Sequence, residues 1–184
     1  MDNQLFNGTL VRLAIENPET DAASLARWER DTEFERVLSH KPVFPSGQKK
    51  WRERLEEAPD ERQFWFSVFA LAEDKLIGFV GIFMVRQQHG DCMVGIGMGE
   101  PEFRGKGYGT DALRLALRFA FRELNMHRVA LMVLATNARA IRSYEKCGFV
   151  REGVTRGADY RDRIRRDVIS MGILRSEWER ANSR

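Results

Sequence analysis

Hydrophobic and polar positions along the first third of the chain predict one strand followed by two helices. A weakly alternating stretch at residues 9–13 is typical of a short strand. Apolar residues at helical spacing then predict a helix over residues 21–36. Two prolines and a glycine mark residues 40–47 as a loop, and a highly charged helix is expected over residues 48–57.

The rest of the chain is rich in strands. Residues 64–72 and 76–85 are β-branched and aromatic, and the short charged turn between them predicts a hairpin. The further predicted elements are a strand at 93–98, a helix at 110–124, a strand at 128–134, a helix at 138–146, and strands at 149–154 and 168–174. Glycines within 93–98 indicate a bulge or a close approach of another group to the backbone. The order predicts a mixed α/β (α+β) fold, and since no linker or repeat interrupts it, we expect residues 1–184 to form a single domain.

Composition and charge exclude several classes of protein. The chain has 184 residues, of which 43% are hydrophobic and 31% charged, as in an ordinary globular domain rather than a disordered chain, collagen or a disulfide scaffold. The net charge of +3 invites the idea of an anionic partner. However, residues 1–150 balance 21 basic against 21 acidic residues, and the excess comes from nine against six in the last 34. A charge of this size does not by itself predict nucleic-acid binding.

The cysteines, histidines and apolar stretches predict neither a metal site nor a membrane span. Cys92 and Cys147 form no CxxC pair, and the three histidines show no HxH or HExxH spacing. The longest apolar stretches fall short of the ~18–20 residues that a span needs. The first residues lack a basic region followed by an apolar run, so we expect no secretory signal and a cytoplasmic location.

A glycine-rich turn at residues 99–110 joins a predicted strand to a predicted helix. Alternating glycines let successive backbone N–H groups point into one concavity, and the helix N-terminus adds its positive dipole end. The dinucleotide pattern GxGxxG fails because the glycines run GxGxG, and the P-loop pattern fails because Gly107 follows Lys106 where Ser or Thr is needed. The pattern [RQ]xxGx[GA] fits Arg104, Gly107 and Gly109. The turn therefore predicts a diphosphate site, the alternative being a tight loop that merely needs glycine.

A second segment, residues 137–149, reads Asn-Ala-Arg-Ala-Ile-Arg-Ser-Tyr-Glu-Lys-Cys-Gly-Phe. Together with residues 104–109 and the ending at 171–178, it makes the chain resemble the GNAT superfamily of acyl-CoA-dependent N-acetyltransferases. The resemblance is to the branch of ribosomal-protein N-terminal acetyltransferases and spermidine acetyltransferases. It implies a central, twisted, mostly antiparallel sheet of about six to seven strands, splayed at the cofactor site, with about four helices.

The resemblance also implies the chemistry. Acetyl-CoA would be the co-substrate, and its acetyl group would pass directly to a primary amine, such as a protein N-terminus, an amino acid or a small-molecule amine. Backbone groups near Met98, Gly99 and Glu100 would align the pantetheine arm and donate to the thioester oxygen. The expected cofactor-binding residues are Met98, Gly99, Arg104, Gly105, Lys106, Gly107, Tyr108, Gly109, Thr110 and Asn137.

Two residues are expected to carry the proton transfers. Tyr144 lies seven residues after Asn137, which places both on nearly the same face of a helix. Its phenol could protonate the departing thiolate, although Tyr144 could also be a half-buried aromatic residue and Asn137 a helix cap. Glu100 is the best-placed carboxylate to take a proton from an ammonium group, whose free pKa lies near ~10.4. Glu102 has a weaker claim, and the alternative for Glu100 is a solvated turn residue.

Other functions stay open at this point. The same fold could transfer another acyl group, such as succinyl, or bind an acyl-CoA as a non-catalytic sensor. Arginines 114, 118 and 122 recur at helical spacing and could instead serve a basic nucleic-acid-binding module, although no nucleic-acid reader motif accompanies them. The resemblance places the acceptor beside residues 40–47 and the final hairpin at 159–165, whose arginines disfavour a polyamine. Family members often form homodimers, so a dimer is also expected.

Overall fold

The computed structural model describes residues 5–38, 42–57 and 60–183. Within them, one seven-stranded sheet carries six α-helices. The strands are β1 (Val11–Ile15), β2 (Phe64–Ala70), β3 (Lys75–Arg86), β4 (Asp91–Met98), β5 (Arg128–Leu134), β6 (Val150–Arg161) and β7 (Ile164–Leu174). The helices are α1 (Pro18–Trp28), α2 (Thr32–Leu38), α3 (Gln48–Glu56), α4 (Tyr108–Arg122), α5 (Ala138–Lys146) and α6 (Arg175–Asn182).

The strand order is β1-β2-β3-β4-β5-β7-β6. Every neighbouring pair is antiparallel except β4 and β5, which run parallel. The mixed fold and the mostly antiparallel seven-stranded sheet are confirmed. The expected helix number of about four is too low, because six α-helices occur within the described ranges.

The sheet opens at its parallel pair. β4 and β5 are paired only from Asp91–Met93 to Arg128–Ala130, and no pairing joins the later residues of the two strands. In contrast, β5 stays paired with β7 along its whole length, and β4 stays paired with β3 up to Met98. The two halves of the sheet therefore diverge beyond Met93, which confirms the expected splay.

Helices cover both faces of the first half of the sheet, and β2 shows which helix lies on which face. The Phe66 ring meets Phe119 of α4 with 5.2 Å between ring centroids. The next residue, Ser67, points the other way and donates to Asp21 of α1 over 2.6 Å. Since successive side chains of a strand point to opposite faces, α4 covers one face and α1 the other. We call these the α4 face and the α1 face.

The predicted helix over residues 21–36 is wrong in one respect, because the structure has two helices there. The α1 helix ends at Trp28, and the Asp31 carboxylate then accepts the Phe34 N–H over 3.0 Å. This is the bond of a helix N-cap, and it starts α2 in a new direction.

The C-terminal part contains longer strands than predicted and one additional helix. β6 and β7 form a hairpin longer than the predicted strands, closed at Asp162 and Arg163, which both have positive φ. Most β6 side chains are exposed, so no alternation of apolar and polar residues marks the strand. The α6 helix was not predicted; its one buried residue is Trp178.

Candidate active site

One large cleft begins where β4 and β5 separate. It has a volume of about 1720 Å³ and is lined from both sides of the sheet. Ile96 and Met98 of β4 contribute to its wall on the α4 face, where both lie near Gly109. Phe79 and Phe83 contribute on the α1 face. The opening in the sheet therefore joins two half-sites, one on each face.

The glycine-rich turn forms the N-terminus of α4 at this cleft. Gly105 and Gly107 have φ of +78° and +95°, a backbone region that favours glycine. No side chain caps α4, and within the described ranges no hydrogen bond engages the N–H groups of Gly105 to Thr110. A row of unsatisfied amides at a helix N-terminus binds anions. The turn thus fits a diphosphate.

Arg104, which is expected to bind the cofactor, has its side chain bonded within the protein. Its guanidinium donates to the carbonyl oxygens of Met98 and Gly99, each over 2.8 Å, and to Asp31 over 3.2 Å. It also lies over the Phe34 ring, 5.0 Å from the centroid. Arg104 therefore stabilises the end of β4, where pairing with β5 has been lost.

The α5 helix places Asn137 and Tyr144 on the cleft wall. Asn137 is the N-cap of α5, since its Oδ1 accepts the Ala140 N–H over 3.2 Å. The Tyr144 ring packs edge-on against Phe149, and burial raises the pKa of its phenol to about 12. A phenol with this pKa is protonated at neutral pH and can act as a proton donor.

Sequence reasoning missed Ser143, whose hydroxyl lies 2.8 Å from that of Thr110. Both residues line the cleft, so this bond joins the first turn of α4 to α5 at its wall. The signal was available, because Ser143 lies within the second motif, immediately before Tyr144.

Glu100 lies outside the cleft wall, as a buried carboxylate beside two largely exposed cations. Its carboxylate accepts hydrogen bonds from Arg27 and from Trp28 Nε1, the latter over 3.0 Å, and Lys75 Nζ is 3.7 Å away. Burial would raise the pKa of Glu100, but the bonds from Arg27 and Trp28 and the nearby positive charges outweigh it, so the pKa is lowered. With 4% of its surface exposed, Glu100 is not a solvated turn residue. A carboxylate held in this way is a weak proton acceptor.

The remaining expected residues divide into two groups. The cleft is lined by Met98, Arg104, Gly105, Gly107, Gly109, Thr110, Asn137 and Tyr144, whereas Gly99, Glu100, Lys106 and Tyr108 are not part of its wall. Gly99 lies under the Trp28 ring, and Tyr108 packs edge-on against Phe103. Glu102, the second candidate base, is exposed and pairs with Lys75 over 2.7 Å.

The charges of the cleft are separated between its two halves. Around α4 and α5, the lining contains four cations and no carboxylate: Arg104, Arg139, Arg142 and Lys146. The half around β1 and α1 to α3 contains five carboxylates against Lys50 and Arg54: Glu16, Glu29, Glu35, Glu57 and Asp60. Such a field draws an anion to the first half and a cation to the second. We call them the cofactor half and the acceptor half.

The predicted borders of the acceptor site are present only in part. Pro42, Phe44 and Ser46 of the loop line the cleft, while residues 39–41 lie outside the described residues. No residue of the hairpin at 159–165 lines it. The hairpin instead approaches α2, where Arg36 pairs with Asp162 over 2.8 Å. Its arginines therefore carry little weight in deciding the acceptor.

A family model described as Acetyltransferase (GNAT) domain matches residues 12–150, which include the turn, the splayed strands and Tyr144. The chain belongs to the GNAT acetyltransferase family. This confirms the resemblance, and with it acetyl-CoA as the co-substrate of the family's reaction. The positive cofactor half and the free amides of α4 agree with that anionic co-substrate.

Two individual relatives are similar to this chain over more than half of its length. It is 34% identical to spermidine N(1)-acetyltransferase of Vibrio cholerae over 118 residues, 64% of this chain and 66% of that protein. It is 27% identical to the [ribosomal protein uS5]-alanine N-acetyltransferase of Escherichia coli over 150 residues, 79% of this chain and 75% of that protein. The alignments with the first four curated relatives span 59–76% of those proteins.

A solved structure shows the same fold. The spermidine N-acetyltransferase of Vibrio cholerae, in complex with CoA and spermine, matches with a TM-score of 0.80 at 24% identity, covering 92% of this chain and 98% of that one. In the part of this chain that the structure describes, no group of three or more His, Cys, Asp and Glu side chains could hold a metal ion. No helix there is long and apolar enough to cross a membrane.

Proposed function

We propose that this member of the GNAT family transfers the acetyl group of acetyl-CoA to a primary amine within a ternary complex, and that residues 1–184 form one acyltransferase domain. The observation that carries the proposal is the single cleft through the opened sheet. A cradle of free amides and a protonated phenol lie in one half of it, and carboxylates lie in the other. The cofactor and the amine can therefore meet at the opening between β4 and β5.

The reaction can be followed atom by atom. The amine nitrogen attacks the thioester carbon, a C–N bond forms, the C–S bond breaks, and sulfur leaves as the thiolate of coenzyme A. Tyr144 gives its phenolic proton to this thiolate and regains one from solvent. The turn at residues 104–110 binds the diphosphate through backbone amides, and the Asn137 amide nitrogen contacts the pantetheine arm, because its oxygen is already used in capping α5.

The amine must lose a proton before or during attack, since an alkylammonium has no free electron pair. Glu100 is engaged with Arg27 and Trp28, so we assign it the role of fixing the end of β4. Water in the cleft would carry the proton away instead, towards the carboxylates of the acceptor half. Among these, burial raises the pKa of Glu16 to about 7, which suits the receipt of a proton near neutral pH.

The acceptor half supports an amine that arrives as a cation, as spermine and spermidine do for the relatives named above. The basic nucleic-acid-binding alternative loses its main support. Arg118 donates to the carbonyl oxygens of Leu5 and Asn7, and Arg122 lies over the Trp178 ring, so these two arginines of the stripe are used within the fold. The proposal includes a cytoplasmic location and a homodimeric state.

Thiol release from acetyl-CoA in the presence of a panel of primary amines tests the proposal, with calorimetric titration of acetyl-CoA alongside. We expect saturable acetyl-CoA binding and amine-dependent thiol release. Binding without turnover for any amine would instead indicate the acyl-CoA sensor. Succinyl-CoA run in parallel separates the acyl groups, and an absence of acetyl-CoA binding at millimolar concentration would refute the proposal altogether.

A further inference from the structure

Three aromatic rings lie on the α1 face of the sheet, beside the opening. Trp65 of β2 and Phe79 and Phe83 of β3 are half-buried, and all three line the acceptor half of the cleft. Trp65 and Phe83 are stacked, with 3° between their planes and 6.0 Å between centroids, and Phe79 adjoins Trp65 at 6.2 Å. We call these three rings the aromatic floor.

Glycines in the strands beneath make the floor possible. A Cβ atom added to Gly81 would lie 2.4 Å from the Trp65 ring, and one on Gly97 would lie 2.6 Å from the Phe79 ring. At Gly95 it would come within 3.2 Å of Phe83. With a side chain at any of these positions, the ring above would have to rise from the sheet. The rings therefore lie directly against the strand backbone, and all three border the cleft.

The position of the floor connects it to the reaction. Gly95 is the second residue of β4 after Met93, the last residue that pairs with β5, so Phe83 lies at the point where the sheet opens. The floor extends from there towards β2, away from the cofactor half. The Trp65 indole N–H donates to Gln63 Oε1 over 3.2 Å, which satisfies its polar edge and leaves an apolar ring face.

The carboxylates nearby do not form the dense acidic wall that a linear polyamine would require. The Glu29 carboxylate is used internally, accepting bonds from the backbone N–H of Ser46 and, over 3.0 Å, from Trp51 Nε1. Burial raises the pKa values of Glu16 and Glu35, so both hold their negative charge less firmly than an exposed glutamate. These three carboxylates therefore attract a cation less strongly than their number suggests, whereas the aromatic rings beside them border the cleft directly.

We propose that the acceptor is a primary amine joined to an aromatic or bulky apolar group, whose body lies on Trp65, Phe79 and Phe83 while its nitrogen reaches the opening beside Gly95. This rests on the proposed function and names the substrate class of the same site. Flat rings suit such a body because stacked and edge-on aromatic contacts add to the burial of apolar area. The same chemistry could come from a small arylalkylamine or from the first residue of a peptide.

Competition among four acceptors tests the substrate class: phenethylamine, a tripeptide beginning with Phe, a tripeptide beginning with Ala, and spermidine. We expect kcat/KM for at least one of the first two to exceed that for both others by about tenfold or more. The better of those two identifies the source of the amine. Equal values for all four, or a preference for spermidine or the Ala peptide, would overturn the proposal.

Substitutions in and under the aromatic floor test whether it causes the preference for such an amine. Trp65→Leu and Phe83→Leu should each raise KM for the preferred amine about fivefold to tenfold, with KM for acetyl-CoA unchanged. Gly95→Ala, which keeps every ring but lifts Phe83, should do the same to a smaller extent. Tyr160→Leu is the matched control, because Tyr160 is an exposed aromatic on β6 outside the cleft, and its KM should equal that of the parent.

Measuring amine binding when no acetyl transfer can occur separates this inference from the proposed function. Phenethylamine titrated into the protein with coenzyme A bound should bind and change tryptophan fluorescence, and the Trp65→Leu variant should lose most of that change. If the amine binds in this way but no acetyl transfer occurs, the proposed function fails and the acceptor class stands. If transfer to other amines occurs and phenethylamine does not bind, the acceptor class fails and the proposed function stands.

Discussion

Replacing Glu100 with glutamine separates the two roles open to this residue. The Glu100 side chain is 5% exposed and is bound by Arg27 and Trp28, so Glu100→Gln keeps an oxygen for the Trp28 N–H but removes the charge facing Arg27. Breaking a fully buried pair costs about 3–5 kcal/mol. The Arg27 side chain is 57% exposed and water will solvate it, so we expect a loss of about 1.5–2.5 kcal/mol. For a chain of this length, that corresponds to a fall in Tm of about 3–10 °C.

The pH dependence of this loss has a definite sign. Because the folded-state pKa of Glu100 is lowered, its stabilising effect is present above the ordinary glutamate pKa of 4.5 and disappears as the pH falls through the folded value. Thermal melts from pH 3 to 8 should therefore show parent and variant converging at the acid end. Glu102→Gln, at an exposed carboxylate with the same Lys75 neighbour, is the control and should change stability by about 0.5 kcal/mol or less.

Kinetics of the same variant decide between base and positioning residue. We expect kcat to fall less than about tenfold and the acid limb of the pH–rate profile to persist. A general base contributes about 10²–10⁴-fold. An unchanged Tm together with a loss of that size and a vanished acid limb would refute the reasoning and restore Glu100 as the base.

Three further predictions concern the cofactor half and the acceptor half of the cleft. Tyr144→Phe should lower kcat by about 10²–10³-fold in a thiol-release assay, with calorimetric acetyl-CoA affinity unchanged, because only the proton donor is lost; weakened affinity would mean that the hydroxyl binds the cofactor. Gly107→Ala should destabilise the fold by about 1–2 kcal/mol in thermal melts and weaken acetyl-CoA binding, because φ of +95° strains alanine; Gly153→Ala, with open space around the added Cβ, should do neither. Glu16→Gln should stabilise the protein by about 1–2 kcal/mol in denaturant titrations at pH 8, and the gain should shrink as the pH falls from about 7 towards 4.5, since a raised folded-state pKa means that protonation favours the folded state; an equal gain at every pH would contradict this cause.

The parts of the fold that have a clear period could be predicted from the sequence. The α4 helix places Leu113, Leu117 and Phe121 on one buried face, and its start after the glycine turn was expected within two residues. The exposed end of the β6–β7 hairpin has no such pattern, because neither face of β6 is buried there. The break after Trp28 was also hidden, because its cause is a side chain, Asp31, that reads equally well as a surface residue within a helix.

The same distinction applies to the site: its local backbone features could be predicted, and its long-range side-chain contacts could not. Backbone features such as the amide cradle follow from glycine spacing, since only a few turn geometries accept that pattern. The partners of charged side chains depend on contacts between distant segments. Glu100 meets Arg27 and Lys75, which lie 73 and 25 positions earlier in the chain, and no local pattern records either meeting. The position of a carboxylate at the end of a central strand predicts a base, whereas the ion pairs that Glu100 makes in the structure favour the positioning role that we propose for it.

The alternating glycines of β4 connect both halves of the cleft to a single strand. The sequence from Gly95 to Gly99 runs glycine, large, glycine, large, glycine, and successive positions of a strand face opposite sides of the sheet. All three glycines face the α1 side, where rings rest on their backbone, while Ile96 and Met98 face the α4 side and pack near Gly109 at the cradle. A shift of one residue in register would place the large side chains under the aromatic rings and the glycines against α4. Under the proposed function, the period-two pattern of β4 thus assigns the amine to the α1 face and the cofactor to the α4 face, with the opening after Met93 between them.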